Sequence, residues 1–122
     1  MEVKSKIWIE DDLKNLIFGD GKTQVLELID ETGSIKVAAE RVGMNYKKAW
    51  NHVKILQENV ADELVVVNKG SNGGTKLTPK AKELIESYKL LRDEVNAFAQ
   101  KRFDELFTND GKKILHEVKN EI

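Results

Sequence analysis

Two glycine breaks, each followed by a polar residue that can start a helix, constrain this chain more than any other feature of its sequence. Gly33 is followed at once by Ser34, and Gly43 is followed two positions later by Asn45. Glycine adopts the left-handed conformation that ends a helix, while serine and asparagine side chains accept hydrogen bonds from the free amides at a helix start. The spacing therefore predicts two helix ends and two helix starts within a short stretch of chain.

Three helices follow from these breaks. Apolar residues recur at helical spacing through residues 22–32, 35–42 and 45–60, as they do on the buried face of a helix. The second helix is short and carries Ala38 and Ala39, whose small side chains allow a close approach to the third helix. We therefore expect three packed helices with a tight glycine turn between the second and the third.

The third helix is expected to have two unlike sides. The apolar side carries Tyr46, Ala49, Trp50, Val53, Leu56 and Val60, and the opposite side carries Lys47, Lys48, Asn51 and Lys54. The first pattern is typical of a face packed on a core, and the second leaves hydrogen-bond donors on the outside.

Two hairpins are predicted on either side of these helices. Residues 64–67 are a β-branched run, 69–74 a glycine-rich loop and 75–77 a returning strand, which is the pattern of a hairpin with a flexible tip. Near the N-terminus, residues 3–9 alternate between apolar and polar, and a turn at 10–12 leads to an apolar run at 16–18. We expect a shorter hairpin there, although three apolar residues alone do not separate a strand from a helix.

A long helix is predicted to start at Thr78-Pro79, because proline at the first helical position lacks only an amide that would have no partner. Apolar residues then alternate in steps of three and four until Arg102, which is the heptad seam of a coiled coil. We expect the seam to join two copies of the chain. Its candidate dimerisation residues are Leu84, Tyr88, Leu91, Val95 and Phe98. A polar gap at 108–113 precedes a last amphipathic stretch at 114–122.

Taken in order, these elements predict an α+β, mainly α fold: a winged helix-turn-helix with an N-terminal β-hairpin and a long C-terminal dimerisation helix. We place the winged helix-turn-helix domain at residues 1–78 and the helical dimerisation segment at residues 79–122. In such a domain the third helix enters the major groove of DNA.

The charge distribution supports a nucleic-acid partner only in the middle of the chain. The formal net charge is −1, whereas nucleic-acid-binding domains usually present a basic surface. Residues 33–80 contain eight Lys/Arg against four Asp/Glu, so acidic flanks mask a basic centre. The chain has no cysteine and no apolar run long enough to span a membrane, and we expect a cytoplasmic protein with no cofactor and no metal.

Asn51 and Lys47 are the strongest candidates for base contacts, because asparagine pairs with adenine and lysine donates to guanine in the major groove. The glycine-rich hairpin tip is expected to follow the DNA backbone or to enter the minor groove. The expected partner is double-stranded DNA with an inverted repeat, bound by a homodimer. The predicted DNA-binding residues are Ser34, Asn45, Tyr46, Lys47, Lys48, Asn51, Lys54, Lys69, Asn72 and Lys76.

Other interpretations of these residues stay open. Tyr46 and Trp50 lie on the core side of the third helix, where packing is the ordinary role and stacking against DNA the lesser one. His52 and His116 are isolated, which favours lone surface histidines over a metal enzyme. The main rival function is a winged-helix module that binds another protein without specific DNA binding. The third helix carries only Glu58 against three lysines, and this balance favours DNA.

Several short motifs give the sequence a family resemblance. They are Gly33-Ser34-Ile35, the run Gly-Met-Asn-Tyr-Lys-Lys-Ala-Trp at residues 43–50, and Lys76-Leu77-Thr78-Pro79. Over about residues 3–91 the chain resembles the DNA-binding half of the molybdate-responsive ModE regulators, which is itself similar to the N-terminal domain of LysR-type regulators. The resemblance implies a winged helix with an N-terminal hairpin, a helix at 45–60 that reads the major groove, and dimerisation through the helix that starts at Pro79.

The chain departs from this family in two places. Asn45 stands where family members carry serine, and asparagine still caps a helix. Full-length members continue into molybdate-binding modules, whereas this chain ends at Ile122. We therefore expect a molybdate-binding domain to be absent, and we do not carry molybdate control over to this chain.

Overall fold

The computed structural model describes residues 1–69, 73–107 and 114–115. In these residues the chain forms four helices and two antiparallel two-stranded sheets, which confirms the predicted mainly helical winged fold. The elements are β1 (Trp8–Glu10), β2 (Leu16–Gly19), α1 (Asp20–Thr32), α2 (Ile35–Arg41), α3 (Tyr46–Val60), β3 (Val65–Asn68), β4 (Gly74–Leu77) and α4 (Pro79–Phe107). The last amphipathic stretch predicted at 114–122 lies mostly outside the described residues.

The glycine breaks and polar caps are confirmed. Gly33 has a left-handed backbone, with φ of 71°, and its amide donates to the carbonyl of Ile29 at 2.8 Å. The hydroxyl of Ser34 accepts from the amide of Val37 at 3.1 Å and so starts α2. Gly43 also has φ of 71°, and the carboxamide oxygen of Asn45 accepts from the amide of Lys48 at 2.8 Å to start α3. These local bonds explain why α2 and α3 begin where the sequence predicts.

The residues Ile7–Tyr88 form one compact unit with a single hydrophobic core. Helix α2 packs on both α1 and α3, and Ala38, Ala39 and Ala49 are completely or almost completely buried. Because each lacks a side chain beyond Cβ, the backbones of these helices can approach closely. The largest fully buried side chains are Phe18, Val25, Leu26, Ile29, Val53 and Leu64.

Tyr88 belongs to this core, whereas the sequence placed it on the dimerisation seam. Its side chain is only 2% exposed, and its ring meets that of Phe18 edge-on at a centroid distance of 5.1 Å. Its hydroxyl lies 2.8 Å from the carbonyl oxygen of Ile7 and 2.8 Å from the carboxylate of Asp20. Since its own chain covers Tyr88, the exposed residues of the predicted seam are Leu91, Val95 and Phe98, and Leu84 is partly buried against the core.

The N-terminal hairpin is present, but its first strand is shorter than predicted. Strand β1 covers only Trp8–Glu10 and pairs with β2, so the expectation of a strand from Val3 is wrong. The amide of Val3 instead donates to the side-chain oxygen of Gln100 at 2.8 Å.

The second compact unit combines Met1–Lys6 with Lys89–Ile122. The side-chain amide of Gln100 donates to the carbonyl of Met1 at 3.3 Å, and Ser5 is hydrogen-bonded to Asn96. Among its described residues none is buried. No helix in the described part of the chain is long and apolar enough to cross a membrane.

Candidate nucleic-acid interface

Helix α3 has the two sides that the sequence predicts. Ala49, Val53 and Leu56 are buried, while all four residues of the predicted polar side are exposed. Among the described residues, the lysines of this side make no ion pair with a carboxylate. The exposed face therefore presents unneutralised positive charge and amide donors. Its residues are Lys47, Lys48, Asn51 and Lys54.

Tyr46 does not pack in the core, and the expectation that it does is wrong. Its side chain is 51% exposed, whereas Trp50, one turn later, is partly buried against the core. The two rings meet edge-on, with centroids 6.4 Å apart and an angle of 89° between their planes. Tyr46 is the first residue of α3 and lies at the edge of its buried arc, so the neighbouring elements leave its ring uncovered. The aromatic pair thus reaches the protein surface.

An open groove of about 670 Å³ runs beside these aromatic rings. Its walls come from the start of α2, the start of α3 and the second hairpin, which is the wing of the fold. The lining residues are Gly33, Ser34, Ile35, Lys36, Tyr46, Trp50, Val67, Gly74 and Thr75. The groove adjoins the exposed face of α3, because Lys47 and Asn51 directly follow Tyr46 and Trp50 in the helix.

The wing is tied to the turn between α1 and α2. The amide of Thr75 donates to the carbonyl of Gly33 at 2.8 Å. At Gly74 the backbone has φ of +146°, and a Cβ added there would lie 3.2 Å from the same carbonyl oxygen. The positive φ favours glycine at this position, and any larger residue would also make a tight contact with that oxygen. The distance between wing and helices is consequently set by backbone contacts at the base of the groove.

The remaining predicted DNA-binding residues take different positions. Ser34 and Asn45 use their side-chain oxygens as helix caps, which leaves the Ser34 hydroxyl proton and the Asn45 amide nitrogen as donors. Lys69 and Lys76 are exposed on the wing, and Lys76 pairs with Val66 in the sheet register. Asn72 lies outside the described residues.

The opposite flank of α3 carries His52, which is not the surface histidine that the sequence suggested. His52 is partly buried, and among the described residues its Nδ1 atom is buried without a hydrogen-bond partner. Burial lowers the pKa of His52, and the charges of Lys22 and Lys48 lower it further. The neutral imidazole is thereby favoured. His116 lies outside the described residues.

Lys22 is a buried cation beneath this flank that sequence reasoning did not single out. It is only 7% exposed, its Nζ donates to the carbonyl of Leu16 at 2.9 Å, and burial lowers its pKa. The signal was its spacing, because Lys22 precedes Val25 and Leu26 by three and four positions and so falls on their buried stripe. This hydrogen bond joins α1 to the first residue of β2.

Lys36, Val67 and Thr75 are further groove residues that sequence reasoning missed. Val67 and Thr75 are register partners in the hairpin of β3 and β4, whereas Lys36 lies on α2, and no local motif joins this helix to the hairpin. Among the described residues, no group of three potential metal ligands is close enough to hold a metal ion.

Comparison with known proteins shows several similar bacterial proteins. The chain is 38% identical over 72 residues to the molybdenum-pterin-binding protein MopB of Rhodobacter capsulatus, covering 57% of this chain and 27% of that protein. It is 34% identical over 98 residues to the transcriptional regulator ModE of Haemophilus influenzae, covering 77% and 38%. With the DNA-binding transcriptional dual regulator ModE of Escherichia coli K12 the identity is 32% over 113 residues, covering 89% and 41%. The resemblance to ModE is thus confirmed, although the chain spans well under half of each relative.

A solved structure shares the fold. It is a chain of the "Crystal structure of CbnR_DBD-DNA complex", which matches with a TM-score of 0.51 and 15% identity over 67% of this chain and 91% of that one. The family model described as "Bacterial regulatory helix-turn-helix protein, lysR family" matches residues 22–82, from the first turn of α1 to the first turn of α4. The chain therefore belongs to the lysR family of bacterial regulatory helix-turn-helix proteins.

Proposed function

We propose that this chain is a sequence-specific, double-stranded DNA-binding transcriptional regulator. The observation that carries the proposal is the exposed face of α3, where Lys47, Asn51 and Lys54 stand opposite the buried residues of the same helix. A helix fits the width of the major groove, and these side chains are the types that donate to guanine and adenine edges. The relatives named as DNA-binding regulators support this assignment.

The wing contributes contacts that position the protein on DNA. Lys69 and Lys76 are exposed on it, and lysine neutralises phosphate without reading sequence. Because Thr75 ties the wing to Gly33, wing and α3 engage the duplex together. Sequence is then read by α3, while the wing adds affinity that depends on salt.

The second half of α4 provides the dimer contact in this proposal. Leu91, Val95 and Phe98 are exposed there, and their spacing of four and three is that of a coiled-coil seam. Leu84, on the first half of the helix, is partly buried against the core. A homodimer joined by this seam presents two α3 helices, and its preferred DNA is an inverted repeat with half-sites about one helical turn apart or a multiple of it. Such a bacterial regulator acts in the cytoplasm, where its DNA is.

Selection from a pool of random duplexes tests the proposal. The full chain should enrich a defined inverted repeat, and we expect Lys47→Glu to weaken binding to that repeat at least 100-fold, because it places a carboxylate against the bases. The matched control is Lys101→Glu, the same charge change on the second half of α4, which should alter affinity little. The absence of any enriched sequence, or equal losses in both variants, would contradict the proposal.

A further inference from the structure

The groove beside α3 has an apolar wall that DNA binding by the lysines does not explain. Tyr46, Trp50, Val67 and Ile35 line it, next to the bare backbone of Gly33 and Gly74. Tyr46 and Val67 are each about half exposed. Exposed apolar surface at the edge of a binding face indicates that an apolar group of the bound molecule packs against it in the complex.

The surroundings of this wall select a ligand with negative charge. Lys36 lines the groove itself, and Lys47 follows Tyr46 on the exposed face of α3. Among the residues that the structure describes, none that lines the groove carries a carboxylate. An apolar peptide or membrane would gain little from these cations, whereas a duplex supplies phosphates beside its base edges.

The major groove of DNA contains one apolar group, the C5-methyl of thymine. We propose that the aromatic pair of Tyr46 and Trp50 forms a socket for this methyl group, with Tyr46 as the residue that distinguishes thymine from other pyrimidines. The inference rests on the proposed function, since it names the group that the same DNA-binding face reads. Tyr46 precedes Lys47, and Trp50 precedes Asn51, so the socket and the polar stripe are neighbours on one helix.

Two contacts hold the socket in shape before DNA arrives. The rings of Trp50 and Tyr46 meet edge-on, which is a favoured geometry for an aromatic pair. The bond between Thr75 and Gly33 sets the position of the opposite wall. Side chains in a preformed socket lose little conformational freedom on binding. The free energy gained by burying a methyl group there is therefore largely retained as affinity.

The test replaces thymine by deoxyuridine, which removes only the methyl group. On the duplex selected with the full chain, each thymine is replaced singly, and affinity is measured by fluorescence anisotropy. Burial of one methyl group predicts a loss of about fourfold at the thymine that occupies the socket. Tyr46→Ala should abolish this difference between thymine and uracil, and Tyr46→Phe should retain it because the ring remains. Ile55→Ala is the control, since Ile55 is a partly exposed apolar residue of α3 outside the groove.

The outcomes separate this inference from the proposed function. Loss at one thymine of each half-site, abolished by Tyr46→Ala and unaffected by Ile55→Ala, supports the socket. If every thymine tolerates replacement, or if the loss persists in Tyr46→Ala, the socket is overturned while DNA binding stands. A uniform loss in Tyr46→Ala on all duplexes, with no preference for thymine, would assign the ring to the sugar-phosphate backbone and also overturn it. If no duplex is selected at all, the proposed function fails first.

Discussion

The two halves of α4 carry the same kind of apolar pattern but differ in burial. In the first half, from Pro79 to Tyr88, the residues Ala81, Ile85 and Tyr88 are buried in the core of the winged helix unit. In the second half, from Lys89 to Phe107, no residue is buried. Its exposed large apolar side chains are Leu90, Leu91, Val95, Phe98 and Leu106. The apolar stripe predicts that something covers the helix, but it does not say whether the cover is the same chain or another.

The largest expected effect lies in the first half. Tyr88→Ala removes a buried ring together with its contacts to Phe18 and to the carbonyl of Ile7, and we expect it to lower the free energy of unfolding by about 3–5 kcal/mol. Urea denaturation followed by circular dichroism measures this change. Glu86→Ala, at an exposed position of the same half, is the control and should change stability little. A small effect of Tyr88→Ala would mean that the first half does not belong to the core.

The next effect concerns association through the second half. Phe98 is 65% exposed, and Phe98→Asp would place two carboxylates against each other across a symmetric seam, which costs several kcal/mol. We expect the dimer to dissociate at micromolar concentration while the helical signal of the winged helix unit is retained. Light scattering measures the mass, and Asp93→Asn is the control on the same half. A wild-type chain that is already monomeric would refute the dimer, and a dimeric Phe98→Asp variant would move the interface elsewhere.

A smaller effect is expected on DNA affinity, and it tests whether the second half of α4 joins two α3 helices. Asn51→Ala removes one pair of hydrogen bonds to a base and should cost about 1–3 kcal/mol in each half-site. If the second half of α4 couples two α3 helices, the loss on the full inverted repeat should be about twice the loss on a duplex with a single half-site. In Phe98→Asp the two duplexes should give equal losses. Equal weakening on random DNA would show that Asn51 contacts no base.

Local chemistry explains which parts of the fold could be predicted from sequence. Gly33, Ser34, Gly43 and Asn45 act through bonds to residues three or four positions away, so the helix ends were visible in the sequence. The exposed face of α3 could also be predicted, because helical periodicity alone separates it from the buried face.

The features that sequence reasoning missed depend on distant partners. The amide of Val3 is bonded to Gln100, and Tyr88 reaches back to Ile7 and Asp20, so neither position could be read from its neighbours. The groove likewise joins α2, α3 and the wing. Core packing was the ordinary expectation for Tyr46, because a helical wheel gives the direction of a side chain. It does not show whether another element lies in that direction to cover it.

The smallest expected effect is a pH dependence that belongs to the winged helix unit alone. Burial and the charges of Lys22 and Lys48 lower the pKa of His52 in the folded chain, whereas in the unfolded chain it titrates near its ordinary value of about 6.5. As the pH falls below that value, the unfolded chain takes up a proton that the folded chain does not, so the free energy of unfolding decreases.

His52→Gln removes this contribution. Measured by urea denaturation between about pH 7 and pH 5 in the Phe98→Asp background, stability should fall more steeply with His52 than with glutamine. Because we expect Phe98→Asp to remove association through α4, a difference between the two chains in that background should arise within the unit that contains His52. Parallel pH profiles would mean that the imidazole is protonated as readily in the folded chain as in the unfolded one.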